Sequence, residues 1–160
     1  MDTAQLKEFY PEETMTPKEI VRAFVNAHND HDVDAMMNYL AEDSTMIDVA
    51  APIPLNGKDD VRKLFTMIFS ALDVHFEITG MIAENAKVFA ALRTTGTGTG
   101  DWAGRDVRGL QFDVFESMFV DTEDGKITTV MFYSDTASLS KQLGNYAPAL
   151  DMQAGVANIM

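Results

Sequence analysis

At Leu72 the hydrophobic pattern of this chain changes its period. Before it, most apolar residues recur at spacings of three and four. After it they alternate for about sixty residues. A helix repeats its face every 3.6 residues and a strand every 2, so the switch separates a helical half from a β half. Helices first, then a run of hairpin-connected strands, define an α+β chain in which the helices can cover only one face of the sheet. A half-cone of this kind leaves a pocket between helices and sheet.

The helical half opens on a clear signal. Thr16 precedes Pro17 and stands three before Glu19, which is a capping box with proline at the first helical position. Ile20, Phe24, Ala27 and His28 then share one face, with Val21 and Val25 beside them, and the helix runs to about Asn29. A second, short helix is predicted over Val33–Leu40. "STMIDVA" (Ser44–Ala50) reads as a strand, and "APIPLNG" (Ala51–Gly57) as a loop because of its two prolines and glycine. Asp59 and Asp60 open a third helix, with Val61, Leu64, Phe65, Ile68, Phe69 and Leu72 on its apolar face. In the β half, strands are predicted over Val74–Glu84, Lys87–Gly98, Gly109–Val120 and Ile127–Ser134, with a turn over Asp121–Lys126. Asp135 caps a last short helix that Gly144 ends. The division is an N-terminal extension (1–15), one domain (16–144) and a C-terminal tail (145–160).

Charge narrows the partners. Twelve basic residues face 25 acidic ones, a net of -13, which opposes binding to nucleic acid or to an anionic membrane. It suits a solvated acidic surface or the attraction of a cationic substrate. No cysteine is present, so disulfides and thiolate metal sites are excluded. The first residues are acidic and lack the apolar core of a signal peptide, and no run of about 18 apolar residues exists. A cytoplasmic location is the expectation.

"TTGTGTGDWAG" (Thr94–Gly104) invites a phosphate-loop reading and fails it. Its glycines stand at 96, 98 and 100, more strand follows, and no helix begins there to receive a phosphate. A strand end running into a hairpin fits better, with Trp102 at a pocket mouth or a subunit contact. "NDHDVD" (Asn29–Asp34) resembles a calcium loop for five residues. Ala35 and Ala41 then occupy the places that need glycine and glutamate. A helix junction capped by Asp32 is the simpler reading. His28 and His31 are three apart, but the third histidine, His75, lies on a distant strand, so no metal site is expected.

Glu116 is the candidate for chemistry. It alternates in phase with Val114 and Met118. If that face points at the helices, Glu116 is a carboxylate in an apolar cavity, where desolvation raises its pKa toward the range of a general acid or base. If Asp113, Phe115, Ser117 and Phe119 form the inner face, Glu116 is exposed. His28, one turn after Phe24, is the candidate partner. Tyr39, Asp48, Arg93 and Tyr133 are weaker pocket candidates. No nucleophile–base pair is apparent.

Over residues 16–144 the pattern resembles the SnoaL-like branch of the nuclear-transport-factor-2-like superfamily. The motifs that carry the likeness are "NDHDVDAMMNYLAED", "LNGKDDVRKLF", "TGTGTGDWAG", "DGKI" and "YSDTASLSKQLG". The resemblance implies a cone-shaped α+β barrel: a curved, mostly antiparallel sheet wrapped around three N-terminal helices, with a short C-terminal helix. It implies a homodimer through the outer sheet face, where not all of Phe112, Phe115 and Phe119 can turn inward. It also implies a pocket for a small apolar molecule, with Phe24, Tyr39, Trp102, Val114, Met118 and Phe132 as candidate lining. Members include cyclases that work by acid–base chemistry without a cofactor, alongside epoxide-opening, steroid-isomerising and purely ligand-binding proteins. Two positions depart from the pattern. Gly98 replaces a residue that is often histidine. The cyclase carboxylate, three residues before the aspartate that starts the last helix, falls on Phe132. An inward polar group on the preceding strand lands near Glu116. The expectation is a cofactor-independent cyclase, isomerase or hydrolase using Glu116, with His28 or Tyr39 orienting the substrate, or else a binding or scaffold protein of the same fold.

Overall fold

The computed structural model describes residues 14–144, apart from the side chains of residues 51–53. The predicted tail (145–160) and most of the N-terminal extension lie outside the described residues. Helix α1 (Pro17–Asn29) begins with both halves of the capping box. The Thr16 side chain accepts from the Glu19 N–H, and the Glu19 carboxylate accepts from the Thr16 N–H. Helix α2 (Val33–Asn38) is capped by Asp32, whose carboxylate accepts from the Ala35 N–H. That places "NDHDVD" at a helix junction. Helix α2 is shorter than predicted. Tyr39 caps it, and the Tyr39 carbonyl already accepts from Ile127 of the sheet. Leu40 therefore starts strand β1 (Leu40–Asp48) rather than ending a helix.

The segment expected to be a loop is strand β2 (Ala51–Asn56), paired antiparallel with β1. Its prolines are tolerated because β2 is the outermost strand, and a strand edge has backbone positions with no ladder partner to supply. Helix α3 (Lys58–Ala71) follows, then β3 (Leu72–Glu84), β4 (Lys87–Gly98), a two-residue hairpin of β5 (Asp101–Trp102) and β6 (Arg105–Asp106), β7 (Gln111–Glu123), β8 (Lys126–Ser134) and helix α4 (Thr136–Gln142). Strand β7 runs into the segment predicted as a turn because the turn itself is only Asp124–Gly125, both with positive φ. Two such residues close a tight hairpin whose twist matches the strands.

The main sheet has the order β2-β1-β8-β7-β4-β3. Every pairing is antiparallel except β1 with β8. Alternation gives it a clear inner face. Leu72, Val74 and Phe76 of β3, Val88, Ala90 and Leu92 of β4, Phe112, Val114, Met118 and Val120 of β7, and Val130 and Phe132 of β8 are buried. All of these but Val114 pack with Ile20, Phe24, Val61 and Phe65 of the helices in one core. The fold is a mixed α+β cone: a curved, mostly antiparallel six-stranded sheet around the N-terminal helices, closed by a short C-terminal helix. No helix among the described residues is long and apolar enough to cross a membrane.

The glycine stretch serves close approach of backbones. A Cβ at Gly96 would strike the Asp73 carbonyl and the Phe112 ring, and one at Gly98 would strike the Val107 backbone. At Gly98 the main chain doubles back, with its N–H donating to Leu110 and its carbonyl accepting from Gly109. Any side chain there, histidine included, would need the β6–β7 connection to move.

Candidate functional site

Between the inner face and helices α1, α3 and α4 lies a cavity of about 350 Å³, within the usual size range of small-molecule sites. Most of its wall is apolar: Leu64, Phe65 and Ile68 from α3, Val74 and Phe76 from β3, Trp102 from the small hairpin, Phe112 from β7, Phe132 from β8 and Leu139 from α4. The polar part comes from the sheet and the start of α4: Asp48, Thr94, Glu116, Ser134 and Thr136. His28 reaches the wall from α1.

Glu116 is on the inner face of β7, between buried Val114 and Met118. Its cross-strand neighbours are Leu92 and Ser134. Thr94, only 3% exposed, donates its hydroxyl to the Glu116 Oε2 at 2.9 Å. Burial pushes the Glu116 pKa above the ordinary carboxylate value. Hydrogen bonds from Thr94 and Ser134 oppose the shift, and the nearby acids Asp48 and Asp135 reinforce it. The result is a carboxyl group at an apolar wall whose proton is held more tightly than usual.

His28 is 1% exposed and encased in rings. It stacks on Phe76 at 3.8 Å between centroids and meets Phe65 and Phe69 edge-on. Burial lowers its pKa to about 4, against the opposing effect of a hydrogen bond with Asn29, so the imidazole is neutral at physiological pH. Asn29 itself went unnoticed in the sequence. Its amide donates to the Phe76 carbonyl at 2.9 Å and accepts from the Phe76 N–H at 2.8 Å. It thereby completes the free edge of β3 and fixes the end of α1 against the sheet. The hydrogen-bonding partners of Glu116 are Thr94 and Ser134 rather than His28.

The remaining candidates separate. Trp102 and Phe132 line the cavity, as does Asp48. Phe24, Val114 and Met118 are buried and do not contribute to the wall. Phe24 lies edge-on to Phe65, which does line the wall. Tyr39 caps α2, away from the wall. Arg93 and Tyr133 face the other side of the sheet, where Arg93 makes a two-pronged contact with Asp113. Asp135 does cap α4, accepting from the Ser138 N–H at 3.0 Å. Phe132 is therefore the residue three before it, on the wall. Among the described residues no three histidine or carboxylate side chains gather as metal ligands would.

Residues 18–143 match the model of the SnoaL-like polyketide cyclase family. This chain belongs to that family. No curated protein matches it. Among solved structures it is similar to a protein from Xanthomonas campestris pv. campestris described as a "putative polyketide cyclase". The two share 23% identity over 79% of this chain and 96% of the other, with a TM-score of 0.75. It is also similar to an LEH-like epoxide hydrolase of M. tuberculosis, at 20% identity over 79% and 84% of the two chains, with a TM-score of 0.66. A third is AclR from Streptomyces galilaeus, described as a "putative hydroxylase", at 20% identity over 81% and 96% and a TM-score of 0.72. One fold thus carries several chemistries, and the choice among them rests on the site.

Proposed function

We propose that the cavity takes a small, largely apolar molecule and that Glu116 moves a proton to or from it, without a cofactor, in a cyclase, isomerase or hydrolase reaction. The observation that carries this reading is Glu116: a carboxyl on an apolar wall, oriented by Thr94, with its pKa raised by burial. Such a group holds its proton more tightly than an exposed carboxylate does, as a general acid or base requires. The neutral His28 ring forms part of the wall and is a hydrogen-bonding group for substrate rather than a charged one.

A second reading, ligand binding without turnover, is favoured by one observation. Phe132 occupies the wall where the resemblance places the cyclase carboxylate, and a phenyl ring transfers no proton. Deuterium exchange separates the two. A panel of hydrophobic ketones is incubated with the protein in D2O and followed by proton NMR. Exchange next to the carbonyl that disappears in Glu116→Gln supports proton transfer. Binding without exchange supports the second reading, and exchange unchanged in Glu116→Gln removes Glu116 from the chemistry.

We also propose that two copies pair through the outer sheet face, where Phe115 is 70% exposed and Phe119 and Tyr133 lie beside it. Sedimentation is expected to give a dimer at micromolar concentration and a monomer for Phe115→Lys/Phe119→Lys. A wild-type monomer overturns this.

A further inference from the structure

The cavity has an uneven charge that its own fold leaves unbalanced. Asp48 and Glu116 both reach its wall, and no lysine or arginine among the described residues does. The two acids belong to strands on either side of β8. Asp48 pairs with Phe132 and Glu116 with Ser134, two residues along. They feel one another, since Asp48 is among the charges that make Glu116 harder to ionise. Asp135 acts in the same sense from the start of α4. Arg93, on the neighbouring strand β4, points through the opposite face and is held by Asp113 and Glu77. Lys58 is engaged with Glu42. His28, the remaining basic group at the wall, is neutral.

Like charges beside an apolar space repel more strongly than they would in water. A positive ligand group between them removes that repulsion. The rest of the wall suits the same guest, because Trp102, Phe76, Phe112 and Phe132 line it, and aromatic rings attract cations. The chain's net charge of -13 draws cations toward the protein from a distance.

We propose that the molecule taken by this cavity is an apolar cation: a protonated amine or quaternary ammonium on a hydrophobic body, with its charged end at Asp48 and Glu116 and its body against the rings. This rests on the reading of the cavity as a small-molecule site and names the class of molecule. The charge also fits the proposed chemistry, since a cation beside Glu116 favours its ionised form and so its use as a base.

Three probes of one shape and different charge test it: 4-phenylbutylamine, 4-phenylbutanol and 4-phenylbutyrate. Trp102 is the only tryptophan and lines the cavity, so its fluorescence reports occupancy directly. The amine is expected to bind about tenfold more tightly than the alcohol at neutral pH, and the carboxylate more weakly than both. Asp48→Asn is expected to bring the amine down to the alcohol's affinity and leave the alcohol unchanged. Asp43→Asn, which removes an exposed charge from the same strand, is expected to leave all three unchanged. Alcohol or carboxylate binding as tightly as the amine overturns the charge assignment while leaving the cavity a small-molecule site. Equal weakening by Asp43→Asn also overturns it, because the preference then comes from net charge alone. Failure of all three probes to perturb Trp102 overturns both the assignment and the reading beneath it.

Discussion

Asp113 and Glu116 stand three residues apart on β7, and the odd spacing puts them on opposite faces of one sheet. Asp113 faces out. Arg93 donates to both of its oxygens, at 3.0 and 2.6 Å, and holds its pKa below the ordinary value. Glu116 faces in, and burial drives its pKa the other way. The carboxyl chemistry is the same on both sides, so the difference lies wholly in surroundings. Outside, water and a guanidinium favour the charge. Inside, an apolar wall and two further acids oppose it. A strand that alternates faces can therefore carry a structural acid and a candidate functional one within a single turn of the pleat.

The contrast predicts a large effect from the inner acid. If Glu116 transfers a proton, Glu116→Gln is expected to lower any turnover by 10²- to 10⁴-fold, about 3–5 kcal/mol of barrier. The fold is retained, because glutamine can still accept the Thr94 hydroxyl. Stability should move the opposite way. A raised pKa contributes stability that is complete below the unfolded-state value and is lost as pH rises through the folded-state value. Glutamine has no such loss. Urea unfolding at pH 8 should thus find Glu116→Gln at least as stable as the parent. A variant that is inactive and also clearly less stable would mean that the carboxylate is there for the fold.

His28 extends the comparison to the other buried titrating group. Its pKa falls from 6.5 to about 4 in the fold, so the unfolded chain takes up the proton first as pH drops. The stability tied to neutral His28 is complete above pH 6.5 and is lost as pH falls toward 4. Between pH 7 and pH 5 the loss should be about 2 kcal/mol. Urea midpoints across that interval measure it, and His28→Phe, which keeps a ring against Phe76, should flatten the slope. An unchanged slope would mean that His28 is solvated in the folded protein.

How much of this contrast the sequence could reveal depends on the strand concerned. The inward phase of β7 was open, because Val114 and Met118 argued for one face and Phe115 and Phe119 for the other. Burial decides it: Val114 and Met118 are covered, while Phe115 and Phe119 are exposed. Aromatics on the solvent side left the alternation ambiguous. The partners of Glu116 were harder still. Counting back from the Asp124–Gly125 turn would set Glu116 opposite Tyr133. An irregularity between Asp121 and Thr122, on which the Thr128 hydroxyl closes by donating to the Asp121 carbonyl, shifts the pairing by one residue and brings Ser134 there instead. A similar shift near Thr79 turns Met81 toward the core and leaves Ile82 exposed. Bulges have no strong signature in one sequence, so pockets built across them are only partly legible. The capping box and the helix junction were legible because each depends on residues close together in the chain.

A smaller effect should come from the hydroxyl that holds Glu116. Thr94→Val keeps the shape and removes the donor, leaving a buried oxygen with one fewer partner. The expected cost is about 1 kcal/mol, with the Glu116 pKa moving further up, because the Thr94 bond is the largest influence holding it down. Carboxyl-carbon NMR titration of Glu116 reads that shift without any knowledge of the substrate. Serine at 94 should restore it, which a purely space-filling role would not require. A pKa unmoved in Thr94→Val would show that Ser134 alone orients the group.

The smallest effect is expected on the outer face, and it makes the sharpest control. Asp113→Asn removes the carboxylate that Arg93 grips, yet both groups lie in solvent. Exposed ion pairs often contribute nothing measurable, because water and salt already stabilise each charge. Gln142 still ties the backbone of Asp113 to α4 from both sides, accepting from its N–H and donating to its carbonyl. The unfolding midpoint of Asp113→Asn should therefore be indistinguishable from that of the parent in moderate salt, and the Glu116 titration should not move. If the outer substitution shifted the inner carboxyl, the sheet would be transmitting charge between its faces, and the contrast in local surroundings would no longer explain the two acids.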